Sequence, residues 1–347
     1  MRPGVRPPSS FLCAGRQKLG ARMLLHGQGE TMSRRRLLLL LKSLESYSLH
    51  NSSGITNPKL LRHLENRVQI HRDAINLCQD VLRRKLVEWE TLFHNNLSYP
   101  IRNVDLVVTV GGDGTLLQAS HFLDDTIPVL GVNSDPTRPE EVEEFKDEFD
   151  ATRSTGYLCA ATVNNFEQVL DDILEKQATP SDITRLSVCI NSQSVPIHAL
   201  NDILIAHPCP ASVSRFSFRL RDNSQSCNSL VNCRSSGLRV STAAGSTAAM
   251  LSAGGSIMPI LSKDLQYMVR EPIPSGATNP SFMHGWVKPY ETMDTYWFTD
   301  KGAVYVDGCH FAYTIQQGDA IQVSSKAPVL KIFLPCKLLS GCGLSNL

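Results

Sequence analysis

A chain of 347 residues with 42% hydrophobic content is long enough for two domains and a sizeable core. Its 34 basic and 33 acidic side chains leave a formal net charge of +1, which excludes bulk attraction to nucleic acid or an anionic membrane. The ten cysteines form no C-x-x-C pair, a pattern that fits reduced thiols better than a disulfide framework or a zinc site.

Residues 1–31 have a composition of their own. They hold Arg2, Arg6, Arg16 and Arg22, several Pro and Gly, and no acid before Glu30. The stretch reads as a disordered or targeting extension, or as sequence ahead of a second start at Met32. Arg34, Arg35 and Arg36 followed by Leu37 to Leu41 imitate a secretory signal, but the apolar run ends after five residues at Lys42. It reads instead as the first core strand. No run approaches the roughly 20 apolar residues of a membrane span.

From Asn57-Pro58 to about Lys85, apolar residues from Leu60 to Leu82 fall at helical intervals, which predicts a long packed helix. A strand over Asp105–Val110, a glycine turn, a helix over Thr115–Phe122 and a strand over Ile127–Val132 then form a βαβ unit, with the turn at the carboxyl end of the first strand. The acidic segment Asp135–Asp150 reads as a solvated flap or surface helix, and Phe166–Glu175 as a helix. After Thr179-Pro180 the texture changes to short alternating runs, with strands expected over Leu186–Ile190, Ile203–Ala206, Phe216–Leu220, Leu238–Ser241, Ala303–Val306 and Ala320–Val323. Val329–Leu334 is a last strand. The expected organisation is α/β: a Rossmann-like domain over 32–179, a mostly β domain over 180–322, and a C-terminal strand and tail over 323–347 that returns to the first domain.

The chemistry is expected at Gly111, Gly112, Asp113, Gly114 and Thr115. Glycines permit positive φ and bring backbone N–H groups close to an anion, while the following helix start favours negative charge. No Gly precedes Lys anywhere, which removes the Walker-type loop, and Leu117 stands where a Rossmann fingerprint needs glycine. A carboxylate inside a phosphate-attracting loop is explicable if Asp113 accepts a proton from an attacking hydroxyl or helps hold a metal ion. A tight turn without chemistry is the alternative for the loop taken alone.

Two further constellations lie in the β region. Asn201-Asp202 opens an apolar strand, where the pair either binds a ribose diol or base edge or caps a turn. From Ser236 to Gly255 a strand runs into small and hydroxylated residues and a short helix beginning near Ser246. Small residues admit a flat ligand, and Ser241, Thr242, Ser246 and Thr247 offer hydroxyls.

Taken in order, these three motifs resemble those of the NAD kinase family, over about Met32 to Leu334. The resemblance is nearest to the plant NADH kinases in Gly131–Pro136, Ala199–Pro210 and Cys233–Met250. It implies phosphoryl transfer from ATP, with Mg²⁺, to the 2′-hydroxyl of the adenosine ribose of NADH and, less well, NAD⁺. It implies Asp113 as the catalytic residue and a phosphate cradle of Gly111, Gly112, Gly114 and Thr115. A dinucleotide cleft would draw on Asn201, Asp202, Arg234, Ser236, Thr242, Ser246, Thr247, Ala248 and Ser252, in a homodimer assembled through the β domain. Asp202 departs from the usual Glu, Ala249 from a Tyr, and Ser236 from an Asp. Because oxidised nicotinamide is a cation and the reduced ring is neutral, losing that Asp is expected to favour NADH.

Two alternatives share parts of this pattern. A lipid or sphingoid-base kinase has the same glycine loop but needs a membrane-attracting surface, and a non-catalytic dinucleotide sensor has no need of Asp113. A cytoplasmic location is expected, with Ser345-Asn346-Leu347 as a weak variant of a peroxisomal signal.

Overall fold

The computed structural model describes residues 34–44, 57–222, 229–273 and 280–340. The N-terminal extension and the Ser345–Leu347 tail lie outside them. The α/β layer runs β1 (Arg35–Leu41), α1 (Pro58–Arg84), β2 (Val87–Phe93), β3 (Leu106–Gly111), α2 (Asp113–Ser120), β4 (Val129–Asn133), α3 (Pro139–Phe145), β5 (Ala161–Thr162), α4 (Phe166–Leu174) and β6 (Ser181–Ile183). There follow β7 (Ser187–Ile190), β8 (Gln193–Ser194), β9 (Asp202–Ala206), β10 (Ser214–Arg221), β11 (Val231–Ser235), β12 (Gly237–Ser241) and α5 (Ala249–Ser252). The chain closes with β13 (Leu265–Arg270), β14 (His284–Val287), β15 (Thr292–Trp297), β16 (Lys301–Val306), β17 (Phe311–Gln316), β18 (Ala320–Ser324), β19 (Leu330–Phe333) and α6 (Cys336–Leu339).

The first sheet has the order β2-β1-β3-β4-β19-β6, with β5 also on β4. Its pairs are parallel apart from β19 with β6. Strand β1 explains its own place. Leu37, Leu39 and Leu41 face α1 and α4, while Leu38 and Leu40 join Val107, Leu116 and Ala119 on the opposite face, so an unbroken leucine run is buried from both sides. Helix α1 starts where Asn57 accepts from the N–H groups of Lys59 and Leu60, with Pro58 at the first helical position.

The remaining strands form two six-stranded antiparallel sheets, β11-β10-β15-β18-β7-β8 and β14-β13-β12-β9-β16-β17. Phe216, Phe218, Val240, Trp297 and Val304 lie in the core between them. Leu200, Ala244 and Ile260 of this region pack instead with the α2 face of the first sheet, and Arg34–Leu347 forms one unit.

Several boundaries differ from the sequence reading. Strand β6 lies beyond the expected break at residue 179 yet completes the first sheet. Strand β2 has no counterpart in the sequence reading. Helix α2 begins at Asp113 rather than Thr115, with Gly112 at the N-cap. The acidic segment contains a helix, α3, with no buried residue, but Asp135 at its start is buried rather than solvated. No helix among the described residues is long and apolar enough to cross a membrane.

Candidate active site

Strand order places the site. The chain runs from β1 outward to β2 and then back across β1 to β3, so the crevice at the carboxyl ends of β1 and β3 is the switch point where open parallel sheets bind ligands. Lys42 follows β1 there, its N–H donating to Val110 O at 2.9 Å, and Gly111 ends β3.

Gly111 and Gly112 are required for space and not for backbone handedness. Gly112 has φ of −136°, and neither Gly111 nor Gly114 takes positive φ, contrary to the sequence expectation. A Cβ at Gly111 would overlap the Thr115 hydroxyl, and one at Gly112 would overlap Ser154 Oγ, whereas Gly114 opens onto free space. The Thr115 N–H is taken by Gly112 O at 3.0 Å within the first turn, so it is engaged inside the helix. A cavity of about 420 Å³ lies against Gly111, Gly112, Gly114 and Thr115, with Lys42, Arg67 and Arg153 on its wall beside Asp135, His94 and His310. Burial is the main cause lowering the Lys42 ammonium pKa, and the Arg67 charge adds to it.

Asp113 is the first residue of α2. Its Oδ2 accepts from Tyr157 N at 2.8 Å and Thr155 Oγ1 at 3.3 Å, and its Oδ1 from Leu158 N at 2.8 Å and Cys159 Sγ at 3.7 Å. Two backbone amides therefore fix the carboxylate, and the hydroxyl and thiol contacts are the weaker pair. Burial first, then the Asp113 charge, pushes the Cys159 thiol pKa well up, so it stays protonated and able to donate.

The Asn201-Asp202 segment is pinned from both sides. Its N–H groups donate to Asp307 Oδ1 at 2.8 and 2.9 Å, and Asn201 O accepts from Thr242 N at 2.9 Å. Asn201 Oδ1 is buried without a hydrogen-bond partner, an acceptor waiting for a donor. Asp202 is 7% exposed and paired with Arg239 at 2.5 Å; burial raises its pKa and Arg239 opposes the shift.

The other expected cleft residues separate into three groups. Thr242 and Ser246 are buried and spend their hydroxyls on the chain, Thr242 on Leu200 O and Ser246 on Ala243 O and the Met258 N–H. Thr247 is half-buried, and Ala248 and Ser252 are exposed, on a 3₁₀ turn (Ala244–Thr247) and α5 rather than on one helix from Ser246. Arg234 is exposed on β11, and Ser236 donates to Arg270 O at 3.3 Å. Ser236 precedes β12 and Thr242 follows it, about 20 Å apart along the strand. Sequence reasoning did not find Lys42, Arg67, Arg153 or Asp307. Only Lys42, a lone cation straight after the leucine run, carried a local signal.

A glycine loop capping a helix at the switch point of a parallel sheet, joined to a cavity and a fixed carboxylate, defines a nucleotide-dependent phosphotransferase class. Residues 29–135 match the family model described as the ATP-NAD kinase N-terminal domain. The chain is 58% identical over 307 residues to an NADH kinase of Arabidopsis thaliana, spanning 87% of this chain and 96% of that protein. It is 57% identical over 285 residues to a probable NADH kinase of Oryza sativa subsp. japonica, spanning 82% and 88%. Among solved structures, yeast NADH kinase complexed with NADH superposes with a TM-score of 0.64 at 16% identity, covering 91% of this chain and 88% of that one. The chain belongs to the NAD kinase family.

Proposed function

We propose that this protein transfers the γ-phosphoryl group of ATP to the 2′-hydroxyl of the adenosine ribose of NADH, and less well of NAD⁺, giving NADPH or NADP⁺ and ADP. The observation that carries this reading is Asp113 at the first residue of α2, next to the cavity at the glycine loop. Relatives named NADH kinases at 57–58% identity support the acceptor.

A sugar hydroxyl is a far weaker acid than a carboxylic acid, so Asp113 takes its proton as the bond to the γ-phosphorus forms and not before. The incoming hydroxyl displaces the longer Thr155 or Cys159 contact, while the Tyr157 and Leu158 amides keep the carboxylate aimed. The loop amides and the cations hold the phosphates, and positioning supplies the rest. Mg²⁺ belongs to this reading as part of the substrate MgATP, an ion that leans chiefly on phosphate oxygens and water. In this reading the unpartnered Asn201 Oδ1 accepts from the acceptor's adenosine, and Thr247, Ala248 and Ser252 line the dinucleotide cleft.

Assembly as a homodimer through the β region is part of the same proposal, supported by exposed Phe282, Trp286 and Tyr290 around β14. So is a cytoplasmic location.

The deciding experiment is an ATP-coupled assay with NADH, NAD⁺ and a sphingoid base, run on the wild type and Asp113→Asn. Phosphorylation of NADH with a kcat lowered roughly 10²- to 10⁴-fold by the substitution is expected. Sphingoid-base turnover, or wild-type rates in Asp113→Asn, would refute the assignment.

A further inference from the structure

The Asp113 carboxylate has as many donors as it has lone pairs. An ionised carboxylate offers about four acceptor positions, two on each oxygen. Oδ1 receives the Leu158 N–H at 2.8 Å and the Cys159 thiol at 3.7 Å, and Oδ2 the Tyr157 N–H at 2.8 Å and the Thr155 hydroxyl at 3.3 Å. The base is therefore fully occupied before any acceptor arrives. It takes a proton only after one donor withdraws.

Three of the donors have no freedom to do so. The Tyr157 and Leu158 amides belong to a backbone fixed along its length: Pro136 bridges Ser154, Asn133 Nδ2 donates to Ser154 O at 3.2 Å, and the Cys159 N–H donates to Gly156 O at 3.2 Å. Gly156 turns between them with φ of +62°, packed on the Asn133 side chain. Cys159 is 7% exposed, and its sulfur lies against Gly131 of β4, where a Cβ would come within 3.0 Å of it. Thr155 differs on each count. It is exposed, its contact is long for an O–H···O bond, and rotation about χ1 alone carries the hydroxyl away. The side of the base that opens is therefore Oδ2.

Water reaches that side as well as a sugar does. If water were the nucleophile, its oxygen would bond to the γ-phosphorus, its proton would pass to Asp113 Oδ2 and then to solvent, and the bond to the β,γ-bridging oxygen would break, releasing ADP and phosphate. A hydroxyl tethered to the neighbouring segment holds the position against free water, because it gives up no translational freedom in binding there. The hydroxyl of a bound acceptor is held in the same way and competes on equal terms.

Resting on the phosphotransferase reading above, we propose that Asp113 Oδ2 is the oxygen that takes the acceptor's proton, and that the Thr155 hydroxyl guards it, filling the acceptor hydroxyl's place until a bound acceptor turns it aside. Thr155 is a positioning residue in this scheme, acting through Asp113 to suppress transfer to water.

The test measures phosphate release from MgATP without dinucleotide, alongside NADH phosphorylation, on the whole chain. Thr155→Val keeps the shape of the side chain and removes the hydroxyl, and Thr155→Ser restores it. Thr155→Val is expected to raise acceptor-independent hydrolysis about fivefold or more, the worth of one lost hydrogen bond. Thr155→Ser is expected to stay within about twofold of wild type, and Asp113→Asn added to Thr155→Val to abolish the gain. A purely structural effect at position 155 would give no gain that depends on Asp113. Hydrolysis at the wild-type rate in Thr155→Val, or an equal gain in Cys159→Ala, would overturn the proposal. A wild type that leaves NADH unphosphorylated while Thr155→Val still gains Asp113-dependent hydrolysis would instead overturn the acceptor and leave the guard standing.

Discussion

His121 Nε2 lies 2.8 Å from Asp307 Oδ2, and this contact ties the helix that carries Asp113 to the segment that carries Asn201. His121 is the C-cap of α2, and Asp113 is its first residue, about 12 Å away along the axis. Asp307 follows β16, has a completely buried side chain, and also accepts the N–H groups of Leu200, Asn201 and Asp202 at 2.8 to 2.9 Å. Arg185 holds the same helix end from another direction, donating to Ser120 O and Leu123 O. Helix α2, which carries Asp113, and the Asn201 segment therefore share one mount.

Removing Asp307 leaves three backbone amides and His121 without their acceptor inside the protein. Asp307→Ala is expected to cost about 3 kcal/mol or more of stability, because each stranded buried donor carries its desolvation penalty. Asp307→Asn, which keeps one carbonyl acceptor, is expected to lose less. Urea unfolding monitored by far-UV circular dichroism gives both values. In the variants that remain folded, KM for NADH should rise more than KM for ATP, since the amides released belong to the acceptor segment.

Gly245 tests the same segment by crowding. A Cβ there would overlap the Asn201 carbonyl oxygen, which is held by Thr242 and has no room to retreat. Gly245→Ala is expected to cost about 1–3 kcal/mol as overpacking and to weaken NADH binding with MgATP binding retained. Calorimetric titration with each ligand separately distinguishes this from general unfolding.

What could be read from the chain beforehand followed from how local each cause is. The β1 leucine run, the Asn57 cap and the periodicity of α1 are set by neighbours within a few residues, and the structure has them where the sequence put them. Strand β2 escaped because Glu88 and Glu90 point outward from a sheet edge and dilute its apolar signal. Arg153, just past the acidic segment, carried no local signal, since its pairing depends on a carboxylate shared with Arg67, 86 positions earlier. Thr242 and Ser246 looked like ligand donors for the opposite reason: their hydroxyls answer carbonyls and amides that only the fold brings near.

Acid should loosen the support of the glycine loop. His71 is completely buried, with Nε2–H donating to Lys42 O at 3.0 Å, so that in the neutral ring Nδ1 accepts from Ser134 Oγ at 2.7 Å, and the Ser134 N–H in turn donates to Gly111 O at 2.7 Å. Burial is the chief cause lowering its pKa below 6.5, with the Lys42 charge acting in the same direction and the hydrogen bond to Lys42 O opposing. Between that lowered value and 6.5 the unfolded chain binds more protons than the folded one, so this contribution to stability is present above pH 6.5 and is lost as the pH falls through the lowered value. His71→Gln should therefore show a shallower loss of stability than wild type between about pH 7 and 5. Parallel pH dependences would remove His71 from the account.

Ser236 places a neutral hydroxyl, donated to Arg270 O, at the entry to β12, and acceptor choice is where the sequence reading expected it to act. A carboxylate about 6 Å from an oxidised nicotinamide would attract it by about 0.7 kcal/mol at the dielectric of water and about 3 kcal/mol at an effective dielectric of 20, while leaving the neutral reduced ring unaffected. Ser236→Asp is therefore expected to raise kcat/KM for NAD⁺ by roughly threefold or more relative to NADH, with the gain shrinking as salt is added. The measurement is the ratio of kcat/KM for the two dinucleotides at low and high ionic strength. An unchanged ratio would mean that position 236 stays remote from the nicotinamide ring, consistent with its distance along β12 from Thr242, and the preference would then have to be set at the adenosine end.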